Sequence, residues 1–229
     1  MQSSMTRAAL IAFGVATIAN AQTTTSPQTA SGVPLQLDPS SELTFTGTST
    51  MHGFKCTTHD LQAFISVDSS YSTAALNTIT HPIISVRIVI PVKSLACGGE
   101  LEGNMLKTLR AKDYPTITYV LHSYDSIPGL TSASAFAMNA KGGLTVAGKD
   151  KEVTMRVDAS RTSDSVMTAT GEETIQMTDF GIKPPTFMLG VLRVGNKIVV
   201  RFTLKATAKA VTQAQAALAA PASVSTLTP

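Results

Sequence analysis

The chain has 229 residues, 43% hydrophobic and 14% charged, with a formal net charge of +3 at pH 7. That is enough for one β domain of ordinary size with extensions at its ends. Lys and Arg are scattered among the acids, aromatics make up 5% and Trp is absent, so the basic clusters and stacking platforms of nucleic-acid binders are missing.

Residues 1–21 read as a cleaved secretory signal peptide. Arg7 supplies the positive start, Ala8 to Ala19 the apolar run, and Ala19-Asn20-Ala21 the small-x-small site before Gln22. That run is too short to cross a bilayer, and no later segment approaches the roughly 18 apolar residues a transmembrane helix needs. No cysteine follows it, which argues against a bacterial lipid anchor. The expectation is a soluble protein, periplasmic or secreted, followed at 22–34 by a disordered Ser/Thr-rich leader.

From Leu43 to Leu204 apolar residues recur at every second position, in short runs broken by Gly, Pro, Asp and Ser. A period of two gives each strand one apolar face. Leu43 and Phe45 face inward from the first strand, which ends at Gly47. Phe54 to Val67 supplies the second, bent near His59-Asp60, with Leu61, Ala63, Ile65 and Val67 alternating. Ile84 to Val92 is the third, and Thr116 to Ser123 the fourth, with Ile117, Tyr119 and Leu121 inward. Ala137 to Val146 turns at Gly148-Lys149-Asp150-Lys151 into Glu152 to Asp158, a hairpin. Val166 to Met177 follows, with Ile175 and Met177 inward, and Ile198 to Ala206 closes the set. About eight such strands hide their apolar faces best in a closed antiparallel barrel, which removes sheet edges and at this size either fills itself or encloses one small ligand.

Between the third and fourth strands the period changes. Leu101, Met105, Leu106 and Leu109 fall at helical spacing, with Lys107, Arg110 and Lys112 opposite, and Pro115 ends the run. This short helix serves either as a crossover covering the core or as a lid over a cavity mouth. From residue 208 to 229 an Ala/Thr/Pro-rich tail is expected.

Export makes Cys56 and Cys97 candidates for a disulfide; two separate buried thiols are the other reading. No metal site is expected: His52, His59, His81 and His122 show no ligand spacing, and no Cys-x-x-Cys occurs. Gly-x-Ser-x-Gly and phosphate-cradling Gly-rich loops are absent too, so neither catalytic residues nor an enzyme activity is expected. Asp179, before Gly181, is assigned to holding its turn.

The order of landmarks resembles the YceI-like family. The resemblance rests on Asp38 to Gly47 with Thr48-Ser49-Thr50-Met51-His52, and on Pro91-Val92-Lys93-Ser94-Leu95. It continues through the helix Asn104 to Lys112 with Tyr114-Pro115-Thr116-Ile117-Thr118-Tyr119, Gly142 to Gly148 followed by Val153, and Asp179-Phe180-Gly181-Ile182. Departures are Ser40-Ser41 where a His-Ser pair is often seen, and Thr178 where an Arg is common. The resemblance implies an all-β, eight-stranded, lipocalin-like barrel over 35–207 with a short helix between strands, binding a polyisoprenoid chain.

On that reading the cavity is lined by Phe45, Ile65, Ile88, Leu106, Leu109, Tyr119, Leu121, Met155, Met177, Phe180 and Phe202. Tyr119 is the inward residue whose hydroxyl is expected to meet a polar head. The ligand would be an isoprenoid or quinone-like chain, held with weak selection on the head and without other cofactors. The competing reading is a non-catalytic scaffold or partner-binding module whose barrel is filled; a third makes a bound quinone an electron-transfer cofactor. Pairing into a homodimer stays open.

Overall fold

The computed structural model describes residues 32–163 and 166–208; the expected signal peptide, most of the leader and the tail past Ala208 lie outside the described residues. The strands are β1 (Val33–Leu37), β2 (Glu42–Ser49), β3 (Gly53–Thr58), β4 (Gln62–Val67) and β5 (Ile83–Pro91), then helix α1 (Gly99–Thr108). There follow β6 (Thr116–Ser126), β7 (Ala135–Val146), β8 (Lys149–Ser163), β9 (Val166–Gln176), β10 (Thr186–Phe187) and β11 (Leu192–Ala208).

All pairings are antiparallel, and β5 through β8 each pair with the next in sequence, while β9 pairs with β11. The closure is made by β11. Its first stretch, Val194 to Thr203, pairs with β2 and its last, Ala206 to Ala208, with β1. The chain thus lays β1 and β2 end to end as one stave, and β3 and β4 as the next, giving an eight-stave barrel. The expected bend at His59-Asp60 is the break between β3 and β4.

At the break between β1 and β2 a rung of the ladder is lost, and Ser41 restores it. Its buried hydroxyl donates to the Lys205 carbonyl at 3.1 Å and accepts from the Lys205 amide at 3.0 Å. Asp38 shapes the preceding turn by accepting from the Ser40 amide at 2.8 Å.

Two boundaries differ from expectation. β1 starts at Val33, within the span read as leader, because Val33 and Leu35 pair with Val67 and Ile65; likewise Ala208, read as tail, still pairs with Leu35. The β7–β8 turn is the two-residue Ala147-Gly148, with φ of 48° and 77°, one residue earlier than expected: of the Gly148-Lys149-Asp150-Lys151 run only Gly148 lies in the turn, and Lys149 already pairs with Val146. Positive φ at both central residues matches the right-handed twist of the flanking strands, and Gly adopts it without strain.

One end of the barrel is sealed. The segment between β4 and β5 folds inward and buries Tyr71 and Leu76, each 1% exposed. The Arg161 guanidinium, from the end of β8, donates to the carbonyls of Tyr71, Ala74 and Ala133 and ties this plug to the β6–β7 loop. The opposite end carries α1, the β2–β3 turn and the segment from Met177 to Val191.

Candidate functional site

Above the plug the barrel is hollow, with a cavity of about 270 Å³. This falls just under the 300–1,000 Å³ usual for small-molecule sites. Every stave contributes apolar side chains to the wall: Phe45 from β2, Ile65 from β4, Ile88 from β5, Leu121 from β6, Met138 from β7, Met155 from β8, Ile175 from β9 and Phe202 from β11. Near α1 the wall is built from Leu101, Met105 and Leu109, and the Met177–Val191 segment adds Phe180, Ile182 and Phe187. Among the described residues five methionines line the space, Met105, Met138, Met155, Met167 and Met177; their unbranched thioethers adapt to varied apolar shapes.

Ten of the eleven residues read from the sequence as cavity-lining do line it; Leu106 does not. Helix α1 is rotated so that Leu101, Asn104, Met105, Thr108 and Leu109 face the hollow, while Leu106 packs half-buried against the core. Met177 also departs from expectation: it opens the 3-10 turn Met177–Phe180 past the end of β9 and still reaches the cavity.

The polar groups of the wall are few. Thr108 spends its hydroxyl on the Asn104 carbonyl at 2.8 Å. Tyr119 faces inward, but its hydroxyl is buried without a partner against Gly142, so it does not present to the hollow as expected. A Cβ at Gly142 would lie 2.6 Å from that oxygen, which only glycine avoids. Burial pushes the Tyr119 phenol up to about 12. Among the described residues Asn104 and Glu173 complete the polar set.

Glu173 was not among the residues singled out from the sequence, yet its position follows from the period of two. Ile175 faces inward on β9, so Glu173, two residues before it, must face inward as well.

Cys56 and Cys97 are bonded, with Cα atoms 4.1 Å apart. The bond joins β3 to the strap leading into α1, next to a bridge between Thr57 and Ala96. It therefore fixes the helix that forms one side of the cavity. Asp179 does not hold its turn; it faces Lys151 at 4.0 Å. The turn is held by Asn196, whose side-chain oxygen accepts from the Thr178 amide at 3.0 Å and whose amide group donates to Gln176 and Thr178 at 2.9 Å. His52 and His59 do not meet: His52 bonds the Gly53 carbonyl in the β2–β3 turn, and His59 the Ser41 carbonyl at the β1–β2 break.

Among solved structures the chain is similar to BcnA of Burkholderia cenocepacia, at 18% identity and a TM-score of 0.57, over 74% of this chain and 99% of that one. It is similar, too, to a polyisoprenoid binding domain from Saccharophagus degradans implicated in plant cell wall breakdown, at 15% identity and a TM-score of 0.57, over 77% and 99%. The Campylobacter jejuni YceI protein aligns at 18% identity and a TM-score of 0.50, over 66% and 82%. No curated protein matches the sequence. The model of the YceI-like domain matches residues 35–206, from within β1 to within β11 and so nearly the whole barrel. With that match over most of its length, the chain belongs to the YceI-like family.

Proposed function

We propose that this protein is an exported, non-catalytic carrier that holds an isoprenoid or quinone-like chain in its barrel. The observation that carries this reading is the 270 Å³ cavity with its almost wholly apolar wall. A filled scaffold would have no such space, so the hollow weighs against the partner-binding module with a packed barrel. The polyisoprenoid binding domain of Saccharophagus degradans, similar in fold, supports the ligand class. Export is supported by the Cys56–Cys97 bond, since such bonds persist in oxidising compartments. Among the described residues no helix is long and apolar enough to cross a membrane.

The cavity volume sets what the carrier can enclose. At ~30 Å³ for each water-sized group, it holds about nine carbon-sized groups, roughly two prenyl units. Burying these at about 0.8 kcal/mol each gives ~7 kcal/mol, a dissociation constant on the order of 10 μM before ordering costs. Longer chains must leave their remainder outside or widen the barrel. Titration of the purified protein with prenols of one to four units should therefore show affinity rising steeply to two units and flattening beyond. Absence of binding across the series, with nothing in organic extracts of the purified protein, would overturn the carrier reading.

Export has its own check. Mass spectrometry of protein recovered from the source cells should place the mature N-terminus at Gln22, and retention of Met1 to Ala21 would contradict a cleaved signal peptide.

A further inference from the structure

The end of the barrel that bears α1 holds three large apolar side chains out in solvent. Leu189 is fully exposed, Val191 is 70% exposed and Met51 66%. They come from two stretches of chain that hydrogen bonds clamp together. The Thr50 hydroxyl donates to the Val191 carbonyl at 2.9 Å and accepts from the Arg193 amide at 3.2 Å, and the Thr50 amide donates to the Arg193 carbonyl at 3.0 Å. Arg193 Nε in turn donates to the Gly190 carbonyl at 3.0 Å. Leu189 has a φ of 53°, in the left-handed region that an aliphatic residue enters only against steric resistance and that Gly or Asn would adopt more easily. Single exposed apolar residues are ordinary, but three gathered on one rim mark a contact surface.

The Met177–Val191 segment also carries charge. Its Gly181 to Lys183 stretch forms one side of an open cleft of about 360 Å³, and the end of α1 and the start of β8 form the others. Arg110, Lys149 and Lys183 line the cleft, and among the described residues none of the three is in an ion pair. The Arg110 guanidinium is held in place: it donates to the Ala147 carbonyl and lies 4.5 Å from the centre of the Tyr114 ring. The acids nearest in sequence to the two lysines are engaged elsewhere, Asp150 by the Thr145 hydroxyl and Asp179 opposite Lys151.

We propose that this end of the barrel docks on an anionic lipid bilayer, with Leu189, Val191 and Met51 entering the acyl boundary and the cationic cleft taking a lipid phosphate. Apolar tips beside unpaired cations match the two layers that a bilayer presents, hydrocarbon beneath a film of negative charge. A second copy of this chain, meeting the same face about a two-fold axis, would bring like charge to like charge. The opposite end is closed by the plug of Tyr71 and Leu76, so the docked end is the one with α1 and the Met177–Val191 segment beside the cavity. Docking goes beyond the carrier reading and does not need it, since no ligand has to be present.

Flotation of the purified protein with vesicles tests it, using phosphatidylcholine alone or phosphatidylcholine and phosphatidylglycerol in equal parts. The wild type is expected to float with the mixed vesicles and to bind the neutral ones more weakly by roughly tenfold or more. Leu189→Ser combined with Val191→Ser should weaken binding to the mixed vesicles by roughly tenfold or more. Lys149→Gln combined with Lys183→Gln should abolish the preference for them. Leu130→Ser, in the β6–β7 loop at the plugged end, should change nothing. Leu189→Trp adds a direct readout because the chain has no other Trp: its emission should shift to the blue when mixed vesicles are added. No flotation with either vesicle, binding undiminished by the two serines, or Leu189→Trp emission that vesicles do not move overturns the docking. So does a wild-type dimer in light scattering that the two serines return to monomer, since the surface would then join copies of the chain. Prenol binding without flotation leaves the carrier reading standing, and flotation without prenol binding leaves the docking standing.

Discussion

Replacing Cys56 by Ala and Cys97 by Ser together should lower stability by about 4 kcal/mol and the melting temperature by roughly 8–16 °C. The bond closes a segment 41 residues long, which contains β4, β5 and the plug that seals the barrel. Cutting it restores the loop's freedom to the unfolded chain, and the logarithmic dependence on length gives the figure above. Alanine suits position 56, because Cys56 is 1% exposed and a serine hydroxyl there would need a partner. The loss should be matched by reduction of the wild type, measured by thermal denaturation with and without dithiothreitol. A second effect follows from where the bond lies. Cys97 anchors the strap into α1, so the double variant should release bound prenol faster than the wild type even at temperatures where both are folded. A melting temperature within 2–3 °C of the wild type, about 1 kcal/mol or less, would show that the strap is held without the bond.

The barrel was legible because a period of two is written in nearly every stave, and closure follows from having many one-faced strands with no second layer to cover them. What stayed hidden has local causes. β1 is five residues long and includes Pro34, so it carries too few alternations to rise above the polar leader. In α1 and its cap residue the apolar positions 101, 105, 106 and 109 span more than one face, and the spacing alone does not fix the rotation; packing decided it by turning Met105 inward, with Asn104 and Thr108 beside it, and Leu106 aside. Asn196 holds the Met177–Phe180 turn across 18 residues of sequence, a partnership no local pattern encodes. Glu173 is the instructive case. The parity of Ile175 pointed to it, but an adjacent Glu-Glu-Thr run looks like solvent-facing surface. In a strand, parity outranks residue type in deciding which way a side chain faces.

Filling the hollow from within separates a carrier from a scaffold most directly, and Ala169→Trp is the substitution suited to it. Ala169 faces inward on β9, in register with Leu204 of β11 and Ala159 of β8, and lines the cavity. An indole placed there takes up much of a 270 Å³ space that two prenyl units would otherwise occupy. Prenol affinity should fall at least 100-fold, about 2.7 kcal/mol. Stability should move by only about 1–3 kcal/mol in either direction, because the ring enters vacant volume and does not displace packed neighbours. The chain has no native Trp, so the introduced residue reports on itself: an emission maximum shifted to the blue places the ring inside the barrel. Ala169→Phe gives a second variant without an indole N–H in need of a partner. Blue-shifted emission with prenol binding undiminished would mean that the ligand sits elsewhere, and the hollow would then be a packing defect of the barrel and not its working part.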